Sequence, residues 1–451
     1  MQVQYFQTPA IPFKGETSTD PLTFRYYDAN RVVLGKKMED WMRFSVCYWH
    51  TFRGIGIDPF GGQTLFRPWD TTDAASSFDA LLTTCTARVD AAFEFFTKLG
   101  VKYYAFHDRD VAPELASIDE SNRLLDAVTD YMLIKQKETG VKLLWGYDPH
   151  PPPTLTANLF SAAKYACGGA TNPDLKVFAQ ASAQVKKAME VTHKLGGEGY
   201  VFWGGREGYQ TILNTDIKKE LDHMAAFFHM AVDWKKSLGA NFQFYIEPKP
   251  KEPTKHQYDY DAQTVMCFLK QYNLDDHFLL NIEPNHTTLA GHAYEHDIVL
   301  AAAYGKLGSV DCNTGDELLG WDTDQFLMDE RKATLVMKAV VDMGGFTTGG
   351  LNFDCKVRRE STDLEDIFIA HVGSMDVFAK GLLNAAKLIE DGRFDAMKSE
   401  RYSSWVVSEL GQKVEAGNAT FAELEAYAKL NAPTQISGKQ ELYERVFNDA
   451  L

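Results

Sequence analysis

The sequence predicts an α/β fold, a (β/α)8 TIM barrel, and two observations carry that prediction. Short apolar runs rich in β-branched and aromatic residues alternate eight times with longer amphipathic segments, the pattern of parallel strands covered by helices. Several of those segments end in glycine just before the next run, as in KLGV, ETGV, KLGG, SLGA and DMGG, where a left-handed cap stops a helix. Eight strands close a barrel. A doubly wound sheet is the rival, and no GxGxxG follows the first run to favour it.

Residues 1–40 show little periodicity and read as an N-terminal extension laid over a domain surface. The barrel domain is expected over 41–391, with strands at 43–49, 101–107, 141–145, 199–203, 243–247, 278–283, 307–311 and 349–354. Helices are expected at 77–99, 118–137, 174–195, 216–238, 261–272, 290–304, 325–343 and 363–391. Residues 392–451 turn charged and helical with no further strand, so they are expected to form a C-terminal helical arm that packs on another subunit.

The formal charge of −16 is spread along 451 residues with no basic stripe, which argues against a nucleic-acid partner. No window approaches the apolar length of a membrane span, and the first residues lack the basic start and apolar core of a secretion signal. Cys47, Cys85, Cys167, Cys267, Cys312 and Cys355 show no CxxC spacing and read as free thiols of a cytoplasmic protein.

Sites on this fold form at the carboxyl ends of the strands. Here those ends are Trp49, His107, Trp145, Trp203, Glu247, Glu283, Asp311 and Asp354. Most carboxylates are simply solvated, but several at the ends of buried strands need cations or hydrogen bonds to offset their burial. Glu247, Glu283, Asp311 and Asp354 can surround one ion. Glu283, His286, Asp322 and Asp324 can surround a second, with Glu283 bridging and the two aspartates converging from an extended segment. Carboxylates with a single imidazole suit Mg²⁺, Mn²⁺ or Co²⁺ better than a zinc site of cysteine and histidine.

Lys249, between prolines in IEPKPKEP, is placed to hold a substrate oxygen. His107 can exchange protons at neutral pH, with Asp110 or Asp108 orienting its ring. Trp49, Trp203 and Phe60 are barrel-rim aromatics that can exclude water and face a sugar's C–H surface.

The passages FHDRDVAPE, YVFWGGREGYQTILNTD, IEPKPKEPTKHQYDYD, NIEPNHTTLAGH, GSVDCN, GWDTDQF and GGLNFDCKVRRESTD resemble the xylose isomerase family, in its longer class with an N-terminal extension. The resemblance implies interconversion of D-xylose and D-xylulose, with D-glucose and D-fructose served more weakly, by ring opening and a metal-assisted 1,2-hydride shift. It implies two divalent cations per subunit and a homotetramer. His107 then assists ring opening with Asp110 orienting it, and Lys249 polarises the substrate carbonyl. Glu247, Glu283, Asp311 and Asp354 match the structural metal site, and Glu283, His286, Asp322 and Asp324 the catalytic one. Trp49 and Trp203 match pocket walls, and Phe60 the aromatic that a neighbouring subunit inserts.

Three departures stand out: an insert at 147–155, YDPHPPPTL, expected to rise from the catalytic face as a stiff polyproline segment; Pro284, which holds Glu283 extended; and Thr314, where the family pattern has arginine. Two rival readings remain. One is a glycoside hydrolase using Glu247 and Glu283 as a carboxylate pair, and the other a metal-stabilised sugar-binding protein.

Overall fold

In the computed structural model, which describes residues 3–70, 77–144 and 157–451, the eight runs form a single parallel sheet. Its strands are β1 (Ser45–Cys47), β2 (Tyr103–Ala105), β3 (Lys142–Leu143), β4 (Gly199–Trp203), β5 (Gln243–Glu247), β6 (Phe278–Ile282), β7 (Leu307–Asp311) and β8 (Leu351–Phe353). Consecutive strands pair in the sheet except β3 and β4, which stand at the two ends of its hydrogen-bonded order, and β8 returns to pair with β1, Asn352 opposite Ser45 and Phe353 opposite Val46. That return wraps the sheet into a barrel. The expected strand end Trp145 and the insert at 147–155 lie outside the described residues.

The helices are α1 (Phe78–Leu99), α2 (Ile118–Thr139), α3 (Leu175–Leu195), α4 (Ile217–Ser237), α5 (Ala262–Gln271), α6 (His296–Ala303), α7 (Glu330–Asp342) and α8 (Leu364–Asp391). Ser77, Ser117, Asp174, Asp216, Asp261 and Asp329 each accept a backbone N–H in the first turn, a contact of roughly 1 kcal/mol apiece. At the other end Gly100 and Gly140 sit at φ +81° and +74°, where a Cβ would be strained.

Two expected helices are shorter than their periodicity suggests. The expected helix at 290–304 is interrupted: a helix at Pro284–Leu289 ends before Gly291, whose φ of +87° breaks the run, and α6 begins only at His296. Gln325–Phe326 pairs as a strand with Asn313–Thr314, so α7 starts at Glu330 under the Asp329 cap. Trp49 likewise falls in a helical turn, Tyr48–Thr51, that follows β1 directly.

The main core lies between sheet and helices, while a smaller one fills the barrel itself: Ala105, Leu144, Val201 and Tyr245, with Trp49, Tyr103 and Leu279 packed on it. The Tyr245 ring lies between two strands that carry glycine, and a Cβ built on Gly199 or Gly308 would stand 2.0 or 2.2 Å from it. Its hydroxyl meets the Thr348 hydroxyl at 2.5 Å.

The N-terminal segment is tied to the barrel's outside. Phe6 packs on Trp69, Phe95 and Phe368, and the backbone N–H groups of Arg25, Tyr26 and Tyr27 donate to the Asp376 carboxylate at 2.8 to 2.9 Å. After α8 the chain continues in short helices, from Arg393–Arg401 to Gln440–Asn448. Of these, Phe447 returns to pack on Leu388.

Candidate active site

β5 to β8 deliver their acids to one point. Glu247 and Asp311 are the last residues of β5 and β7, and Glu283 and Asp354 directly follow β6 and β8. One oxygen from each of the four lies within 4.8 Å of all the others, and Glu283 also forms a second such group with Asp322 and Asp324. Pro284 opens the following helix and leaves Glu283 extended at φ −101°, ψ 112°, so its side chain continues the inward direction of β6.

Burial first, and then the Asp354 charge, push the Asp311 carboxyl up to about 8. Glu247 and Glu283 are held well above the carboxylate range by burial and by their acidic neighbours. Asparagines meet part of the demand. Asn281 donates to Glu247 at 3.0 Å and to Asp311, Asn352 to Asp311 at 2.6 Å, and Asn313 to Glu283 at 2.7 Å. These neutral amides leave the charge unbalanced, which is the chemistry of a hard-cation site.

His286 fits the same purpose. Its Nδ1 faces the Pro248 carbonyl at 3.0 Å, so the proton sits there and Nε2 presents a lone pair toward Asp322 at 3.0 Å and Glu283 at 3.2 Å. Asp322 and Asp324 converge, but not along an extended segment as expected. Asp324 is left-handed, at φ +44°, and this turn swings its carboxylate in beside Glu283. Lys356 at 2.8 Å and His50 at 3.1 Å steady it, and although burial opposes ionisation these neighbours hold Asp324 well below the carboxylate range.

Lys249 is buried with its ammonium 2.6 Å from Asp322 and 5.3 Å from the centre of a Trp203 ring. Burial disfavours its charge, yet Asp322 and Glu283 outweigh it and raise the pKa. Across the cavity His107 caps a short helical turn whose Asp110 accepts from the His107 backbone N–H at 2.6 Å and holds Nδ1 at 3.0 Å. Asp108 turns away to Asn158 and Gln184, which assigns the orienting contact to Asp110. Burial lowers the His107 pKa and Asp110 more than restores it. Asp110→Asn is therefore expected to move the imidazole titration midpoint downward, read by NMR. In the unaltered chain the His107–Asp110 contact contributes stability below the unfolded histidine pKa and loses it as pH rises through the raised value.

His107, Lys249, Glu247, Glu283, His286, Asp322, Asp324 and Asp354 line a cavity of about 290 Å³ walled by Trp49, Phe160 and Trp203. Phe160 meets Trp203 edge-on at 4.4 Å, and Trp49 lies 4.4 Å from His107. Phe60 is not part of this wall. It is 83% exposed and touches Trp321, 6.2 Å between centroids. The sequence also gave no sign of His50, Lys356, Phe160 or the asparagines, which reach the site from separate strands and loops. Only the WH pair at 49–50, next to a singled-out tryptophan, hinted at one of them.

Residues 398–451 match the profile of the XylA2 C-terminal domain. A xylose isomerase of Rhodopirellula baltica is 54% identical, the match covering 98% of this chain and 97% of the relative. One from Arabidopsis thaliana is 51% identical over 99% of this chain and 90% of its own length, and one from Caldicellulosiruptor bescii 50% identical over 99% of both. Identity of this order along almost the whole length, across a bacterium and a plant alike, places the chain in the xylose isomerase family.

Proposed function

We propose that this enzyme interconverts D-xylose and D-xylulose, and D-glucose and D-fructose more weakly, at the mouth formed by β5 to β8. The observation that carries the reading is Glu283, shared between two carboxylate groups beside Lys249 and opposite His107. Glu247, Glu283, Asp311 and Asp354 would hold one divalent cation, and Glu283, His286, Asp322 and Asp324 a second, Mg²⁺, Mn²⁺ or Co²⁺ by donor type. Bound there, the cations supply positive charge to adjacent substrate oxygens. With Nδ1–H donated to Asp110, His107 is left with Nε2 to exchange a proton at the sugar ring as it opens. The Lys249 ammonium polarises the open-chain carbonyl. Trp49, Phe160 and Trp203 exclude water, so the hydrogen leaving C2 passes to C1 without reaching solvent.

The test is isomerase activity of chelator-stripped protein with Mg²⁺, Mn²⁺ and Co²⁺ returned in turn. Activity is expected to vanish and return, and xylose deuterated at C2 is expected to keep its label. Full activity without metal, or washing-out of the label, would contradict the reading. Family membership leaves the glycoside hydrolase and binding-protein readings without support.

The chain's further partner is itself. Val407, Phe421, Leu430 and Ile436 on the C-terminal arm are 79%, 92%, 86% and 85% exposed, and apolar residues this open call for a partner surface. A homotetramer built partly through this arm is the expected state. Light scattering of a chain ending at residue 391 should show a smaller assembly, and an unchanged mass would exclude the arm. Among the described residues no helix is long and apolar enough to cross a membrane.

A further inference from the structure

Outside the catalytic mouth, where α6 packs beside the start of α5, lies another group of metal-ligating side chains. His292, His296 and Asp297 each offer one ligand atom, all within 4.8 Å of one another. The two imidazoles stack with centroids 4.4 Å apart, and the His296 ring has no hydrogen-bond partner among the described residues. Asp261, the cap of α5, brings a second carboxylate to 3.2 Å from His292 Nε2.

Asp297 supplies the independent sign. It is 3% exposed, and its Oδ2 accepts the Ala262 N–H at 3.2 Å while its buried Oδ1 has no hydrogen-bond partner among the described residues. Leaving a buried carboxylate oxygen unpaired costs free energy that a bound cation offsets. Among the described residues no lysine or arginine forms an ion pair with it. Among the described residues, the groups that favour its ionised form besides the Ala262 N–H are the two histidines, while Asp261 opposes it.

We infer that His292, His296 and Asp297 form a further, solvent-reached site for a single divalent transition-metal ion of the Zn²⁺ type. Two imidazoles with one carboxylate and open positions suit Zn²⁺, Co²⁺ or Ni²⁺, whereas Mg²⁺ prefers oxygen alone. The site is thus chemically distinct from the carboxylate-rich mouth. None of its ligands belongs to the catalytic machinery, so an ion here ties the turn that carries His292 to the start of α6 rather than touching substrate.

The experiment titrates Zn²⁺ into full-length protein kept in large excess of Mg²⁺, for the unaltered chain and for the double variant His292→Ala, His296→Gln. The variant is expected to bind one zinc equivalent fewer per chain while keeping its Mg²⁺-supported isomerase activity. In the unaltered chain, carbethoxylation of His292 and His296, mapped by peptide mass spectrometry, is expected to fall sharply once Zn²⁺ is added. Equal zinc stoichiometry in the two chains, or rings that react equally with and without Zn²⁺, would overturn the site. If the variant does not fold, the protection mapping on the unaltered chain decides alone.

Discussion

Glu283→Gln is expected to lower kcat/KM by at least roughly three orders of magnitude, about 4 kcal/mol in barrier, and to deplete metal from both carboxylate groups together. Glu283 is the residue common to the two, and its Oε1 is already committed to Asn313 at 2.7 Å. A glutamine of the same shape removes the shared charge and little else. Metal content per chain after dialysis should therefore fall at both places, whereas Asp322→Asn should thin only the group that Asp322 belongs to. The stability change should have opposite signs with and without metal. Glu283 is held well above the carboxylate range by burial and then by Asp322 and Asp354, so its ionisation destabilises the metal-free fold increasingly as pH rises above the unfolded carboxylate pKa. Near neutral pH the glutamine variant should thus melt higher than the unaltered chain in chelator and lower in saturating Mg²⁺. Full metal occupancy at both groups in the variant would contradict the sharing.

Lys249→Met should cost about 100-fold to 1,000-fold in kcat/KM, as expected for one preorganised charge at a developing oxyanion, with the metals retained. The methionine keeps the apolar stem against Trp203 and deletes only the ammonium. Asp322 loses its 2.6 Å partner, which leaves it freer to ligate, so metal affinity should hold or rise while turnover collapses. That split separates a substrate-facing lysine from one that merely balances charge, for which metal binding and activity would change together. Activity within tenfold of the unaltered enzyme would remove Lys249 from the proposed mechanism.

What the sequence made legible follows from how local each signal is. The barrel rests on strand–helix alternation repeated along the chain, and the helix caps on single serines, aspartates and glycines, so both are written in short windows. The acids Glu247, Glu283, Asp311 and Asp354 were legible because a strand's end locates its residue on this fold. Features that depend on meeting a distant segment were not. His50 matters because Asp324 and Asp354 come within 3.1 and 3.0 Å of it, and nothing near residue 50 announces either. Phe326 alternates like the start of a helix but is captured by Asn313 across a two-residue ladder. Asp324 looked extended, and its left-handed turn is set by the surrounding contacts, including Arg358, which donates to the Thr323 and Asp324 carbonyls at 2.7 and 3.1 Å. The aromatic at 60 was read as a rim residue, and by resemblance as one that enters a neighbouring subunit's pocket; within its own chain it stands outside the cavity.

The tyrosine at the barrel's centre carries a consequence for how this sequence can change over time. Because a methyl group at either Gly199 or Gly308 would collide with the Tyr245 ring, the three positions form one unit of inheritance. No single step among them trades bulk between strand and centre without an overcrowded or hollow intermediate, costing ~1 to 5 kcal/mol either way. Neutral drift is therefore closed at these positions while the surface stays free to vary. Lineages that replace one of the three are expected to have replaced the others with it.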